Sequence, residues 1–159
     1  MGRLSEVAGV SKPVVYDHFS TRTALLIELY KWLNAEQVDA FRQSMAAKPK
    51  DMAETVDLLA GAYIRCAADT KGEVYNLGAA LAGSQEKSAV VRECLEYSVG
   101  MFVAVLAPHG SVSELNLTRR CVGLVGAGEA LTASLRQGRD DEAEVVAAFS
   151  ALIRGSMEG

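Results

Sequence analysis

Polar side chains cluster just after a glycine turn near the start of the chain. Residues 7–11 (VAGVS) have the form of a helix end and a turn, since Gly9 readily adopts the positive φ of a tight turn. A new helix then begins, because Ser11 is a favourable N-cap and Pro13 fits a first helical turn. The exposed end of this helix carries Lys12, Tyr16, His18 and Arg22. Such groups suit phosphates and base edges in a major groove, so the segment predicts a helix-turn-helix that binds DNA.

Apolar side chains are expected to pack the two helices of this motif together, and the local net charge limits its contact with DNA. Val7, Val10, Val15 and Phe19 are expected to hold the two short helices together. The chain has a net charge of -4, which excludes a broad polybasic surface. Residues 1–32 contain four basic and three acidic residues, a local net of +1, against -5 for the remainder. Any contact with nucleic acid is therefore local.

The full string AGVSKPVVYDHFSTRTALLIELY closely resembles the DNA-binding signature of the TetR family of transcriptional regulators, whose usual form is approximately AGVSxxTLYxHFxSKxxLL. The match covers residues 4–29, and the later helices fit the family in number, length and order. The resemblance implies that Ser11 begins the recognition helix. It further implies base contacts from Lys12, Pro13 and Val14, an approach of Tyr16 and His18 to the backbone, and a phosphate held by Arg22.

This sequence departs from the family pattern at three points. Val14 replaces the common Thr and offers an apolar contact, such as one to a thymine methyl. Asp17 is acidic beside the groove; it either repels phosphate, accepts from a cytosine amino group, or is simply solvated. Family members have a basic arm and a first helix before this point, whereas Met1 falls at the start of the second. Either the true start lies upstream, or the motif is loosely held and binds DNA poorly.

Helical periodicity runs through the rest of the chain, and no alternating segment suggests a β-hairpin, so the predicted fold class is all-α. Half of the residues are apolar and three are proline, enough for a sizeable core. Asp51-x-x-Glu54, Ser111 to Glu114, and Asp140 or Asp141 provide helix-start signals. We expect a DNA-binding module at 1–32 and a helical ligand-binding and dimerisation domain at 33–159. The predicted helices after the motif are 25–47, 51–72, 74–82, 85–107, 111–138 and 140–155.

The last two predicted helices carry ridges of small side chains at four-residue spacing, which let helix backbones approach closely. Larger apolar residues, such as Val145 and Ile153, widen the stripe on the last helix. An intrachain core and a homodimer interface both fit this pattern, and the family resemblance implies dimerisation through these two helices. The residues expected at that interface are Gly126, Ala130, Ser134, Ala147, Phe149, Ala151 and Leu152.

Aromatic and soft side chains occur along the middle helices, where the resemblance implies a chamber for a small apolar or aromatic effector. Ordinary core packing is the alternative for each of them. The expected ligand-binding residues are Phe41, Tyr63, Tyr75, Tyr97, Met101 and Phe102. Glu129 is the only charged residue between Arg120 and Arg136. It is either solvated or an acid in a pocket or interface, where it would suit a cationic effector.

The sequence gives little support to an enzyme. No nucleophile elbow, P-loop or metal-binding helix motif occurs, and GLVGAG at 123–128 follows no strand. Cys66, Cys94 and Cys121 form no CxxC pair, so we expect no disulfide framework, no metal and no cofactor. Without a signal peptide or a membrane-length apolar run, the expected location is the cytoplasm, with no membrane partner.

The sequence therefore predicts a ligand-responsive, sequence-specific DNA-binding regulator. By this reading it is a homodimeric repressor that binds palindromic double-stranded DNA and is released by a small molecule. The alternative is a dimeric small-molecule-binding protein of the same fold without effective DNA binding.

Overall fold

Helices account for the regular structure of the described residues. The computed structural model describes residues 1–46, 51–68, 77 and 85–158, and these residues contain seven α-helices and no strand. The all-α prediction is thus confirmed. The helices are α1 (Gly2–Ala8), α2 (Lys12–His18), α3 (Arg22–Met45), α4 (Met52–Ala68), α5 (Gln85–Leu106), α6 (Glu114–Arg136) and α7 (Glu142–Met157), with a 3₁₀ turn at Ala107–His109 after α5. The helix predicted at 74–82 lies outside the described residues, apart from Leu77.

Helix α4 forms the centre of the packing. It contacts α3, α6 and α7, while α5 packs against α3 and α6. Eight of its ten residues from Thr55 to Ile64 are buried, so neighbouring helices cover most of this stretch. The largest fully buried side chains of the described core are Phe102, Phe149, Leu59, Ile64, Leu106 and Ile153. No helix within the described ranges is long and apolar enough to cross a bilayer.

Side-chain caps fix several helix ends where the sequence predicts them. The Asp51 carboxylate accepts from the Glu54 amide at 2.8 Å, and the Asp141 carboxylate accepts from the Ala143 amide at 2.8 Å. At the start of α6 the expectation fails in part, because the N-cap Ser113 makes no side-chain capping bond. Thr21 caps α3 by accepting from the Ala24 amide at 3.0 Å, so this helix begins three residues before the predicted start at residue 25.

Three buried aromatic rings tie α4, α5 and α7 together. The Tyr63 ring meets Phe102 edge-on with centroids 5.1 Å apart, and it lies 5.6 Å from the ring of Phe149. Helix α6 passes so close to this cluster that a Cβ at Gly128 would sit 2.4 Å from Cε1 of Tyr63. Glycine at 128 therefore permits the close approach of α6 to α4.

Candidate functional site

A tight turn joins α1 to α2 in the N-terminal segment. Gly9 has φ 66°, a left-handed conformation that glycine adopts without strain. Its amide donates to the Glu6 carbonyl at 3.3 Å, and the Val10 amide donates to the Ser5 carbonyl at 3.0 Å. These two bonds satisfy carbonyls that α1 leaves unpaired at its end. The predicted succession of helix, glycine turn and helix is thus present, and α1 contacts α2.

The side chains that hold α1 against α2 differ from the expected set. Val15 is buried and Phe19 is half-buried, as anticipated. Val7 is 81% exposed and Val10 is 41% exposed, so the expectation that they pin the two helices was wrong. Ser5 is buried instead, and its hydroxyl donates to the Gly2 carbonyl at 2.7 Å. Helix α1 is rotated so that this small polar residue faces inward.

All seven residues expected to contact DNA are exposed. Tyr16 has 51% of its surface accessible and Val14 has 41%. Ser11 is the N-cap of α2 with extended backbone angles, although its side chain makes no capping hydrogen bond. The set is Ser11, Lys12, Pro13, Val14, Tyr16, His18 and Arg22, and it spans α2 and the first residue of α3.

Helix α3 connects the N-terminal segment to the rest of the fold. Its 24 residues run without a break through the predicted boundary at residues 32 and 33. Arg22 and Phe41 are separated by about 28 Å along the axis, at 1.5 Å per residue. A displacement at one end of a continuous helix is carried to the other, because its backbone hydrogen bonds resist bending. Apolar side chains along α3 are only partly covered, since Leu29 and Trp32 are exposed while Phe41 is buried.

An open groove of about 550 Å³ lies between α3 and α5. Three of the six predicted ligand residues line it: Phe41, Tyr97 and Met101. Tyr63 and Phe102 lie in the aromatic core instead, and Tyr75 falls outside the described residues. The other lining residues are Arg42, Met45, Ala46, Glu96, Gly100, Ala104 and Val105. The groove is of ordinary size for a small-molecule site.

Arg42 spans the two walls of this groove. Its Nη2 donates to the hydroxyl of Tyr97, and its guanidinium carbon lies 5.7 Å from the centre of the Tyr97 ring. Its Nη1 is also 3.9 Å from the Asp39 carboxylate. The sequence did not predict a role for Arg42, because its contact with Tyr97 depends on how α3 and α5 dock. Helices α3 and α5 thus meet through a polar contact, Arg42 with Tyr97, at the rim of the groove, and apolar side chains line the groove beneath it.

Small side chains form an exposed outer face on α6 and α7. A Cβ built at Gly126 meets nothing within 4 Å, and Ala130, Ala147 and Ala151 are exposed. Leu152 is 48% exposed on the same helix as Ala147. Ser134 is half-buried and bonds to Asp140. Phe149 differs from the other expected interface residues, because it is fully buried among Tyr63 and Phe102 and presents no surface to a partner.

Glu129 lies on the exposed side of α6 and accepts a hydrogen bond from the Tyr63 hydroxyl at 3.1 Å. It does not line the α3–α5 groove. Burial raises the pKa of Tyr63 well above its ordinary value, and the neighbouring Glu129 carboxylate raises it further. The arrangement links the aromatic core to the outer face of α6.

Comparison of the sequence with models of known protein families and with curated proteins finds no match.

Proposed function

We propose that the chain is a ligand-responsive, sequence-specific DNA-binding transcriptional regulator, and in particular a repressor released by a small molecule. The observation that carries the proposal is the exposed set on α2 and the first residue of α3, which includes Lys12, Tyr16 and Arg22 and follows a glycine turn. The motif resemblance supports the same assignment. The DNA-binding module is residues 1–32, and the helical ligand-binding and dimerisation domain is 33–159.

In this proposal α2 enters the major groove of a DNA duplex. Lys12 faces base edges and Arg22 holds a phosphate, so binding weakens as salt rises. Val14, with 41% of its surface exposed, offers the apolar contact that a thymine methyl accepts. Tyr16 and His18 are exposed near the same helix end and are placed to approach the backbone.

A single short helix contacts too few base pairs for high specificity. A second copy of the chain supplies a second α2 helix that contacts another half-site. The exposed outer face of α6 and α7 supports pairing of two chains, because small side chains allow close helix approach. A two-fold pair presents two α2 helices to a palindromic site with half-sites about one DNA turn apart. Gly126, Ala130, Ala147, Ala151 and Leu152 would be buried by this pairing.

The effector acts through α3. A ligand in the α3–α5 groove contacts Phe41 on α3, and the same helix begins at Arg22 beside the DNA-binding residues. Ligand occupancy favours one position of α3 and thereby one spacing of the two α2 helices. The ligand must bind the DNA-free form more tightly for repression to be lifted.

The first experiment selects binding sites from a pool of random DNA duplexes and then measures affinity by gel shift. We expect enrichment of a palindromic site. Lys12→Ala should weaken binding by about 1 to 3 kcal/mol and relax specificity at the base that Lys12 faces. Lys31→Ala is the matched control, since it removes the same charge from α3 outside the motif, and it should change binding little. Equal effects of the two substitutions would refute the assigned role of α2.

A second candidate function is a dimeric small-molecule-binding protein of this fold without effective DNA binding. The observation in its favour is the exposure of Leu4, Val7 and Val10, because apolar groups left in water weaken the packing of α1 on α2. This candidate predicts ligand binding in the α3–α5 groove with no enrichment of any duplex from the pool.

A further inference from the structure

The rim of the α3–α5 groove presents hydrogen-bond donors. Arg42 carries five N–H donors, and among the described residues one of them is used in a hydrogen bond, to Tyr97. The contact to Asp39, at 3.9 Å, is an ion pair beyond hydrogen-bonding distance. Stacking over the Tyr97 ring holds the guanidinium at the groove, which reduces the entropy lost when a ligand binds it.

Tyr97 adds a second donor at the same point. Its hydroxyl oxygen accepts from Arg42, so the hydroxyl proton remains to be donated, and it has no acceptor within the described part of the chain. A charged donor and a neutral donor thus meet at one end of the groove. The complementary group is one that only accepts hydrogen bonds and carries negative charge, which is the description of a carboxylate.

Apart from Glu96, the remaining side chains of the groove are apolar. Phe41, Met45, Met101 and Val105 form its lining, and methionine adapts its shape to irregular ligands. Gly100 also lines the groove, and an added Cβ there meets nothing within 4 Å, so the space beside Gly100 is free for a ligand. A flexible or flat hydrocarbon body fits this lining, and its burial there removes apolar surface from water.

We propose that this groove binds a small amphipathic acid, with its carboxylate on Arg42 and Tyr97 and its apolar body along Phe41, Met101 and Gly100. The inference deepens the proposed function, on which it rests for the ligand's regulatory role. Glu96 also lines the groove, with Arg92 4.0 Å from its carboxylate, and Asp39 lies 3.9 Å from Arg42, so each groove charge has one partner outside the groove. The preference for an acid therefore rests on the remaining donors of Arg42 and Tyr97. A cationic ligand would have to bind Glu96 and would make no use of the remaining donors of Arg42 and the Tyr97 hydroxyl proton.

Calorimetric titration of the full chain with three probes tests the chemical class. Octanoate, octan-1-ol and octyltrimethylammonium share one apolar chain and differ in the head group. We expect octanoate to bind about tenfold more tightly than the other two at low salt, as suits a charge-assisted hydrogen bond. Tighter binding of the ammonium probe, equal binding of all three, or no binding of octanoate at millimolar concentration would overturn the proposal.

Variants locate the site. Arg42→Met keeps an unbranched side chain and should bring octanoate to the affinity of octan-1-ol. Arg119→Met is the matched control, because Arg119 is exposed on α6 and does not line the groove, and it should leave octanoate binding unchanged. Tyr97→Phe should weaken octanoate several-fold. Gly100→Phe fills the groove and should weaken octanoate and octan-1-ol at least tenfold, with Gly100→Ala as its control. If neither Arg42→Met nor Gly100→Phe changes the octanoate affinity, the assignment of the site is overturned. Thermal melts verify that each variant is folded.

The two levels of the proposal fail separately. The titrations contain no DNA, so a failure of octanoate to bind removes the ligand class and leaves the DNA assignment standing. If octanoate binds through Arg42 and no duplex is enriched from the random pool, the ligand class stands and the proposed regulator is replaced by the small-molecule-binding alternative.

Discussion

Substitution of Gly128 by alanine tests the close approach of α6 to the aromatic core. The added Cβ would lie 2.4 Å from Cε1 of Tyr63 and 3.0 Å from Cζ of Phe149. Neither ring moves away easily, since Tyr63 packs edge-on against Phe102 and its hydroxyl is held by Glu129. The helix or the rings must shift, and the interior is too densely packed to absorb that shift without strain.

Two opposing effects set the size of the change. Alanine favours a helix interior over glycine by about 1 kcal/mol, a gain that any helical glycine offers. Overpacking of a well-filled core costs about 1 to 3 kcal/mol. Gly100→Ala provides the helix gain alone, because its Cβ meets nothing within 4 Å. The difference between the two variants therefore isolates the overpacking term.

The assay is a pair of thermal unfolding curves recorded by circular dichroism. At roughly 2 to 4 °C per kcal/mol for a chain of this size, Gly128→Ala should melt about 2 to 12 °C below Gly100→Ala. Urea unfolding of the same variants should give the matching difference in free energy. A melting temperature of Gly128→Ala equal to or above that of Gly100→Ala would refute the packing geometry.

Three further substitutions or modifications test local features. Tyr63→Phe removes the hydrogen bond to Glu129 and should cost about 1 kcal/mol. Burial raises the Tyr63 pKa, so the wild type should be more stable than Tyr63→Phe below pH 10. Above pH 10 this difference in unfolding free energy should decline by up to about 1.4 kcal/mol per pH unit, because the unfolded chain then loses the tyrosine proton first. A difference that stays unchanged through pH 11 in urea titrations would contradict this. Burial raises the pKa of Cys121 to about 11, so its alkylation by iodoacetamide at pH 8 should be on the order of 100-fold slower in the folded chain than in urea, as read by peptide mass spectrometry; similar rates would show that the thiol is accessible. Gly138 has φ 66°, and Gly138→Ala should lower the unfolding free energy by about 1 kcal/mol, whereas a stabilised variant would rule out the left-handed turn.

Helix ends and fold class were predictable because their signals are local. Asp51 and Asp141 cap helices where the sequence places them, since a cap depends only on the next two or three amides. Gly138 ends α6 through bonds within one turn: the Arg139 amide donates to the Ser134 carbonyl at 3.2 Å. These interactions need no knowledge of the tertiary packing.

The division of the aromatic residues between groove and core was not predictable in the same way. Met101 lines the groove and the neighbouring Phe102 is fully buried, because adjacent helical positions differ by about 100° around the axis. A small error in the assumed rotation of α5 exchanges the two roles. The same reason places Phe149 in the core, while Ala147 and Ala151, two positions away on either side, are exposed.

Partnerships between distant residues carried no sequence signal. Tyr63 and Glu129 are 66 positions apart, and Arg42 and Tyr97 are 55 apart. Such pairs depend on how three or more helices dock. Gly128 could be recognised as unusual only by its place in a helix interior, since glycine there is unfavourable unless a neighbour needs the space.

The central claim is that two copies of α2 enter one DNA duplex, and the stoichiometry of the complex tests it most directly. Native mass spectrometry of the chain with a duplex enriched from the random pool should give the mass of two chains and one duplex. The species should disappear when Lys12 and Arg22 are both replaced by alanine. A single chain per duplex, or no retained duplex at micromolar protein and low salt, would contradict the account.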